Sequence, residues 1–256
     1  SIGIQSFNNE DLKFMNRSHN CEQAIVSVKL AKEIGFNNIS IDLMYSLPKQ
    51  SLEEWKKNLD IAFSLGIQHI SAYSLTFEEK TKLKYLLKKG KVSELDDISS
   101  SKHFDLLMTE AEKHKFIQYE ISNFGLDGFF SKHNSKYWQG GHYLGIGPSA
   151  HSYNGETRSW NVNSNTKYIQ GISENKIEGE EEILSNSQKY NDYIMTSLRT
   201  IWGVDLNYIK QEYGINYLRY FNNELQKWIK SEHVFIEKET VYLSKKGKYI
   251  SDNICS

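Results

Sequence analysis

Cysteine is scarce in this chain of 256 residues: only Cys21 and Cys255 occur, separated by almost its whole length. Two distant thiols exclude a dense disulfide framework and any metal site built from neighbouring cysteines, and a reducing cytoplasm is their natural setting. Neither has the partner an activated nucleophile requires, so both are read as structural. Long apolar runs are missing as well. No stretch approaches the roughly 20 residues of a membrane-spanning helix, and the start lacks the charged-then-apolar character of a signal peptide. A soluble protein is expected. Charge of one sign is also absent: the formal net charge of -1 excludes a chain-wide electrostatic footprint for nucleic acid. What is present, 39% hydrophobic residues, can bury one substantial core and a smaller satellite domain.

The first part alternates strands and helices. Ser1 to Gln5 reads as a strand. Asn20 caps a helix whose Ala24, Ile25, Val28 and Ala31 recur at helical spacing before Gly35 ends it. A strand follows from Asn38 to Leu43, and Ser51 with Glu54 forms a capping box for a helix that Gly66 stops. A third strand runs from Gln68 to Leu75, and such spacing is the pattern of βα units with a parallel sheet. Helices over Leu83 to Lys89 and His103 to His114 and a short strand near Tyr119 come next. From about Asn163 the pattern changes to helices near Tyr168, Ser185 to Thr200 and Asn216 to Lys230. Two short strands, His233 to Glu237 and Thr240 to Leu243, and a final helix complete it. The expected architecture is α/β, with a partial barrel and its extension over 1–162 and a mainly helical, winged-helix-like domain over 163–256.

Between these parts lies HNSKYWQGGHYLGIGPSAHSY, from His133 to Tyr153. Three histidines, three tyrosines and a tryptophan are interleaved with Gly140, Gly141, Gly145 and Gly147, a composition that suits neither a helix nor an ordinary solvated loop. Glycine lets backbone approach a ligand, aromatic faces stack on flat molecules, and histidine can ligate a metal, so a planar metal-bearing ligand would use all three. Gly145, Gly147 and Pro148 lack the third glycine and downstream acid of a dinucleotide loop. Elsewhere, ligands of open α/β sheets gather at the carboxyl ends of strands. Polar residues stand there: Gln5, Asp42, Ser74 and Thr76, with Arg17 in the loop region after the first strand. An arginine fork for a carboxylate beside an acceptor for an amine or hydroxyl suits a zwitterionic small molecule. The plainer reading makes Asp42 a turn cap and Arg17 a solvated side chain.

Taken together, SIGIQSF, NISIDLMYSLPKQ, ISAYSLT, YEISNF, HNSKYW and YLGIGPSAHSY resemble the coproporphyrinogen III oxidase-like radical S-adenosylmethionine family, most closely its haem chaperone branch. The resemblance runs from Ser1 to the end, LSKKGKYISDNI included. It implies that Gln5, Arg17, Asp42 and Thr76 contact S-adenosylmethionine. It further implies that His133, Asn134, Tyr137 and Trp138 bind haem, with His133 the candidate iron ligand; His151 is a second candidate from the following loop. His19 and His142 are read as structural.

One departure limits what the chain does alone. The family's C-x-x-x-C-x-x-C loop, whose thiolates hold a 4Fe-4S cluster, is absent from this sequence. The chain is therefore expected to be the C-terminal portion of a longer protein. S-adenosylmethionine and the cluster would serve the full-length parent only, and no catalytic residue is assigned here. The leading expectation is a chaperone that binds haem or porphyrin and delivers it to haem-accepting proteins. The alternatives are oxygen-independent coproporphyrinogen III oxidase and a non-enzymatic winged-helix interaction module. Lys245, Lys246 and Lys248 are read as a solvated face rather than a nucleic-acid contact. Self-association through the edge of the first strand is a further expectation.

Overall fold

The computed structural model describes residues 1–176 and 178–255. They form two compact units, Ser1–Ser131 and Lys132–Ser256. The expected boundary after residue 162 falls inside the second of these.

The first unit is built on one five-stranded sheet. Its elements are β1 (Ile2–Gln5), α1 (Asn9–Phe14), α2 (Cys21–Glu33), β2 (Ser40–Tyr45), α3 (Leu52–Ser64), β3 (His69–Ser74), α4 (Lys82–Lys88), α5 (Asp97–Lys113), β4 (Ile117–Glu120) and β5 (Asn123–Gly125). The strand order is β1-β2-β3-β5-β4, open at both ends, with β1 at one edge. The first three strands are parallel, as the helical crossovers between them require. β5 then pairs antiparallel with both β3 and β4, a return that the sequence pattern did not disclose. Asn20 and Ser51 each close a full capping box, with Gln23 and Glu54 respectively, so the starts of α2 and α3 follow from side chains legible in the sequence.

Apolar packing holds this unit together. Ile41, Leu43, Ile70, Trp55, Leu59, Leu107 and Phe124 are essentially sealed from solvent. Trp55 has nowhere wet to place its indole N–H, and it donates to the His103 carbonyl at 3.0 Å. Polar groups inside are paired in the same way. The Ser6 hydroxyl donates to Asp11 at 2.8 Å, Gln50 donates to the same carboxylate at 3.1 Å, and Asn58 accepts from the Phe7 amide, so the loop after β1 is tied to α3. Burial raises the Asp11 carboxyl above its ordinary range, against the pull of these donors. His69 is buried between the Ser40 hydroxyl, 2.7 Å from Nδ1, and the Tyr119 hydroxyl, 2.8 Å from Nε2. Burial lowers it to about 4, so the imidazole is neutral at physiological pH.

The second unit comprises α6 (Lys132–Trp138), β6 (His151–Tyr153), β7 (Thr157–Asn161), α7 (Asn165–Ser173), β8 (Gly179–Ile183), α8 (Asn186–Leu198), β9 (Val204–Asp205), α9 (Leu206–Tyr208), α10 (Ile215–Lys230), β10 (Val234–Glu237), β11 (Thr240–Leu243), α11 (Lys245–Lys248) and α12 (Ser251–Cys255). A five-residue π-helical turn, Ile209–Tyr213, continues α9 and ends at Gly214, whose φ of 93° suits glycine. β10-β11-β9 is an antiparallel sheet that packs with α8, giving the winged-helix-like arrangement. The other sheet, β6-β7-β8, went unread because its strands are short and their faces only half-buried. Two of the three lysines expected on a solvated face have structural work: Lys246 donates to the Ser231 carbonyl at 3.0 Å, and burial lowers the Lys248 amine.

Candidate functional site

Two places gather chemistry, one in each unit. In the first, β1 does not run straight off the sheet. Its register against β2 slips between Ile2 and Gln5, and Gln5 adopts φ 70°, a left-handed conformation costly for a residue with a Cβ. The bulge turns the Gln5 side chain back over Gly3. Arg17, following α1, donates from Nη2 to the Gly3 carbonyl at 3.1 Å. A Cβ built on Gly3 would lie 3.1 Å from Gln5 Nε2, 3.3 Å from Arg17 Nη2 and 3.9 Å from Asp42 Oδ2. Three of the four residues expected to contact S-adenosylmethionine therefore converge on one bare backbone position. Asp42 is half-buried; burial raises its carboxyl, while the Ser71 hydroxyl and the Arg17 charge act the other way. Thr76 lies two residues beyond β3 and is exposed. An amide, a guanidinium and a carboxylate at a strand end fit a zwitterion. They do not fit an iron-sulfur cluster: among the described residues no group of three or more potential ligands could hold a metal.

In the second unit the HNSKYW stretch is helical, contrary to the reading of its composition. The run from Lys132 to Trp138 forms α6 and the glycines begin just after it. Those glycines chiefly let backbone meet backbone. A Cβ on Gly145 would sit 2.3 Å from the His151 carbonyl oxygen, so the loop after α6 folds directly onto β6. This fold-back puts Tyr143 opposite Tyr153 and brings Tyr137 edge-on to Tyr143, with centroids 4.5 Å apart.

These rings form one side of a cavity of about 540 Å³. The other side comes from α8, the segment around β9 and the π turn, which contribute Tyr193, Tyr208 and Tyr213. A π turn adds a residue to the helical repeat, and here it carries Tyr213 beside Tyr208 on the cavity wall. Arg158 on β7 and Lys189 on α8 bring two cations to the lining. Arg158 is paired with Asp192, and Lys189 with Glu156. Burial pushes the phenols of Tyr143, Tyr153, Tyr193 and Tyr213 upward, so they stay protonated. The cavity is thus aromatic, carries the cations Arg158 and Lys189 beside the carboxylates Asp192 and Asp205, and has a size that small-molecule sites commonly have.

The expected haem residues divide across this geometry. Tyr137 and Trp138 line the cavity. His133 does not; its ring meets the Tyr137 ring edge-on, with centroids 4.8 Å apart. Asn134 is half-buried on α6. His151 faces a separate recess of about 400 Å³, stacked on Trp160. Sequence reading passed over Arg158, Lys189, Tyr193, Tyr208 and Tyr213. The signal available was the density of tyrosine from Tyr190 to Tyr220, which packing alone does not need on half-exposed faces.

Comparison with known proteins places the fold and the family. The fold matches the solved structure of coproporphyrinogen III oxidase (HemN) from Escherichia coli, a radical SAM enzyme. The TM-score is 0.80 at 20% identity, covering 99% of this chain and 62% of that one. This is the radical SAM class of fold. Heme chaperone HemW of Bacillus subtilis is 32% identical over 255 residues, covering 99% of this chain and 67% of that protein. HemW of Lactococcus lactis is 29% identical with the same coverage. A mitochondrial radical S-adenosyl methionine domain-containing protein 1 from Dictyostelium discoideum is 33% identical, with 64% of its length covered. No protein-family model matches the chain. The chain belongs to the HemW family of radical SAM proteins, and it spans about two thirds of the length of the relatives it matches.

Proposed function

We propose that this chain binds haem through its second unit, as part of a haem chaperone that hands haem to acceptor proteins. The observation that carries the reading is the position of HNSKYW. Its helix places Tyr137 and Trp138 in the wall of a ring-lined cavity that also holds two cations, and a tetrapyrrole offers a flat aromatic face and anionic side chains to match. His133 buttresses Tyr137 and Asn134 lies on the same helix, while His151 in the separate recess is a second candidate that this reading makes secondary. The HemW names of the relatives support the same ligand.

In the whole protein, Gln5, Arg17, Asp42 and Thr76 hold S-adenosylmethionine. That molecule supplies an adenosyl group and a cleavable sulfonium when a cluster is bound. The chain's own contribution is to orient the zwitterion: Arg17 faces a carboxylate and Asp42 an amine or hydroxyl. Cys21 and Cys255 are free thiols, and no helix among the described residues is long and apolar enough to cross a membrane. A cytoplasmic setting is part of the proposal. A second reading, oxidative decarboxylation of coproporphyrinogen III by the whole protein, rests on the Gln5, Arg17 and Asp42 cluster; activity of the full-length protein on that substrate would establish it.

The test is a titration of the purified chain with ferric haem, read as a saturable Soret shift. Tyr137→Ala and Trp138→Ala are expected to weaken binding roughly tenfold each, the worth of one lost stacking face. His151→Ala is expected to leave it within about twofold. Absence of saturable binding by the unaltered chain would sink the reading.

A further inference from the structure

We infer that Arg158 and Lys189 are the carboxylate clamps of this cavity, and that it holds its ligand by ring faces and anionic side chains rather than by a histidine-metal bond. The inference rests on the haem-binding reading above and specifies how that site works.

Three observations lead to it. First, no histidine is among the described residues that line the cavity. The groups in the wall able to approach a metal include tyrosine hydroxyls, the Met195 thioether and the carboxylates of Asp192 and Asp205; the Tyr143 and Tyr153 phenols are held protonated, and Asp192 is paired with Arg158. Second, both cations reach the lining from elements behind it, Arg158 from the middle strand of β6-β7-β8 and Lys189 from the first turn of α8. Lys189 is only 19% exposed, which is unusual for a residue that normally trails its ammonium in water. Third, each cation already has an internal partner that a ligand carboxylate can replace. Asp192 holds Arg158, and Glu156, itself 75% exposed, holds Lys189.

The hydroxyls fit the same picture. Tyr143 and Tyr153 make no side-chain hydrogen bond among the described residues, and both phenols feel the charges of Arg158 and Asp192. They are donors available beside the cation. A flat macrocycle seated among the rings with one carboxylate on Arg158 and another on Lys189 would displace Asp192 and Glu156 toward water. Asp192 and Asp205 are the acidic groups of the lining, and Asp192, as the counter-ion of Arg158, is the group a ligand carboxylate would compete with. A grip of this kind does not depend on the metal.

The experiment titrates the full chain with haem, with metal-free protoporphyrin and with metal-free protoporphyrin dimethyl ester, following tryptophan quenching. Metal-free protoporphyrin is expected to bind within about threefold of haem, and the ester at least about tenfold more weakly, the worth of one charged hydrogen bond. Arg158→Gln and Lys189→Gln should each weaken the free acid about tenfold and leave the ester unchanged. Asp192→Asn should tighten the free acid, an outcome that a merely folding role for the pair cannot produce. If haem binds but the ester and the glutamine variants bind equally well, or if haem binds and the metal-free ring does not, the clamp is refuted while the haem reading stands. If neither haem nor protoporphyrin binds, both fail together.

Discussion

The two units spend their aromatic residues in opposite ways. In the first, Trp55, Tyr119 and Phe124 are fully buried, and the polar atoms among them are satisfied by fixed partners such as the His103 carbonyl and the His69 imidazole. In the second, Tyr137, Tyr143, Tyr153, Tyr193, Tyr208 and Tyr213 surround a cavity instead of filling one another's gaps. Among the described residues, the side chains wholly removed from solvent in the second unit are aliphatic, such as Leu198, Val204, Ile209 and Val241. A tyrosine in the first unit contributes to a close-packed core; a tyrosine around the cavity has a face left for something else. The difference supports the proposal that ring contact with a ligand belongs to the second unit, while the first offers the polar groups Gln5, Arg17 and Asp42 near Gly3.

The comparison can be broken most severely at Trp55. Trp55→Ala leaves a cavity in the sealed core and is expected to cost about 3–5 kcal/mol, seen as lost hydrogen-exchange protection in β2 and β3. A cost below about 1 kcal/mol would mean the first unit is no better packed than the second. Next in size is the pH response of His69, held at about 4 by burial against an ordinary value of 6.5. An unfolded His69 takes up a proton near pH 6.5, whereas the folded one resists until about 4. Its stability contribution is therefore complete above pH 6.5 and disappears as pH falls toward 4, up to about 3 kcal/mol. Asp11 and Asp42, whose carboxyls burial raises, act in the opposite sense and offset part of this loss. Denaturant midpoints at pH 7.5 and 4.5 check it, because His69→Gln should flatten the dependence. An identical slope in both proteins would assign the pH response to other groups.

Gly145→Ala tests the second unit in the same terms. Its Cβ would collide with the His151 carbonyl, so a loss of about 2 kcal/mol together with weakened ligand binding is expected, measured by thermal unfolding and titration. An alanine tolerated there would show that the loop fold-back does not build the cavity wall. The smallest effect is at Gln5. Gln5→Gly relieves a left-handed backbone and should stabilise the first unit by about 0.5–1 kcal/mol while weakening binding of S-adenosylmethionine by the full-length protein. Destabilisation instead would mean that the bulge is held by packing and stores nothing for a ligand.

Legibility in the sequence followed the range of the interactions. The caps at Asn20 and Ser51 and the strands β2, β3 and β11 were readable because each is decided by residues a few positions apart. Gln5, Arg17 and Asp42 were readable from strand ends, a rule of topology, and the structure brings those three together over Gly3. The β5 return and the β6-β7-β8 sheet were not: β5 and β6 have three residues each, and β7 and β8 show no buried-exposed alternation. The helical form of HNSKYW was hidden because a helix of about two turns next to glycines resembles a loop in composition. Arg158, Lys189 and Tyr213 were unreadable for a different reason: each belongs to a separate element, and only the folded chain brings them to one cavity.

Whether the ring-lined cavity of the second unit receives the tetrapyrrole, as proposed, is open to direct measurement. Hydrogen-deuterium exchange of the whole chain with and without haem addresses it directly. New protection is expected over residues 137–143, 153–158 and 189–213, with 1–131 unchanged. Protection centred on 1–131, or on the His151 and Trp160 recess alone, would contradict it.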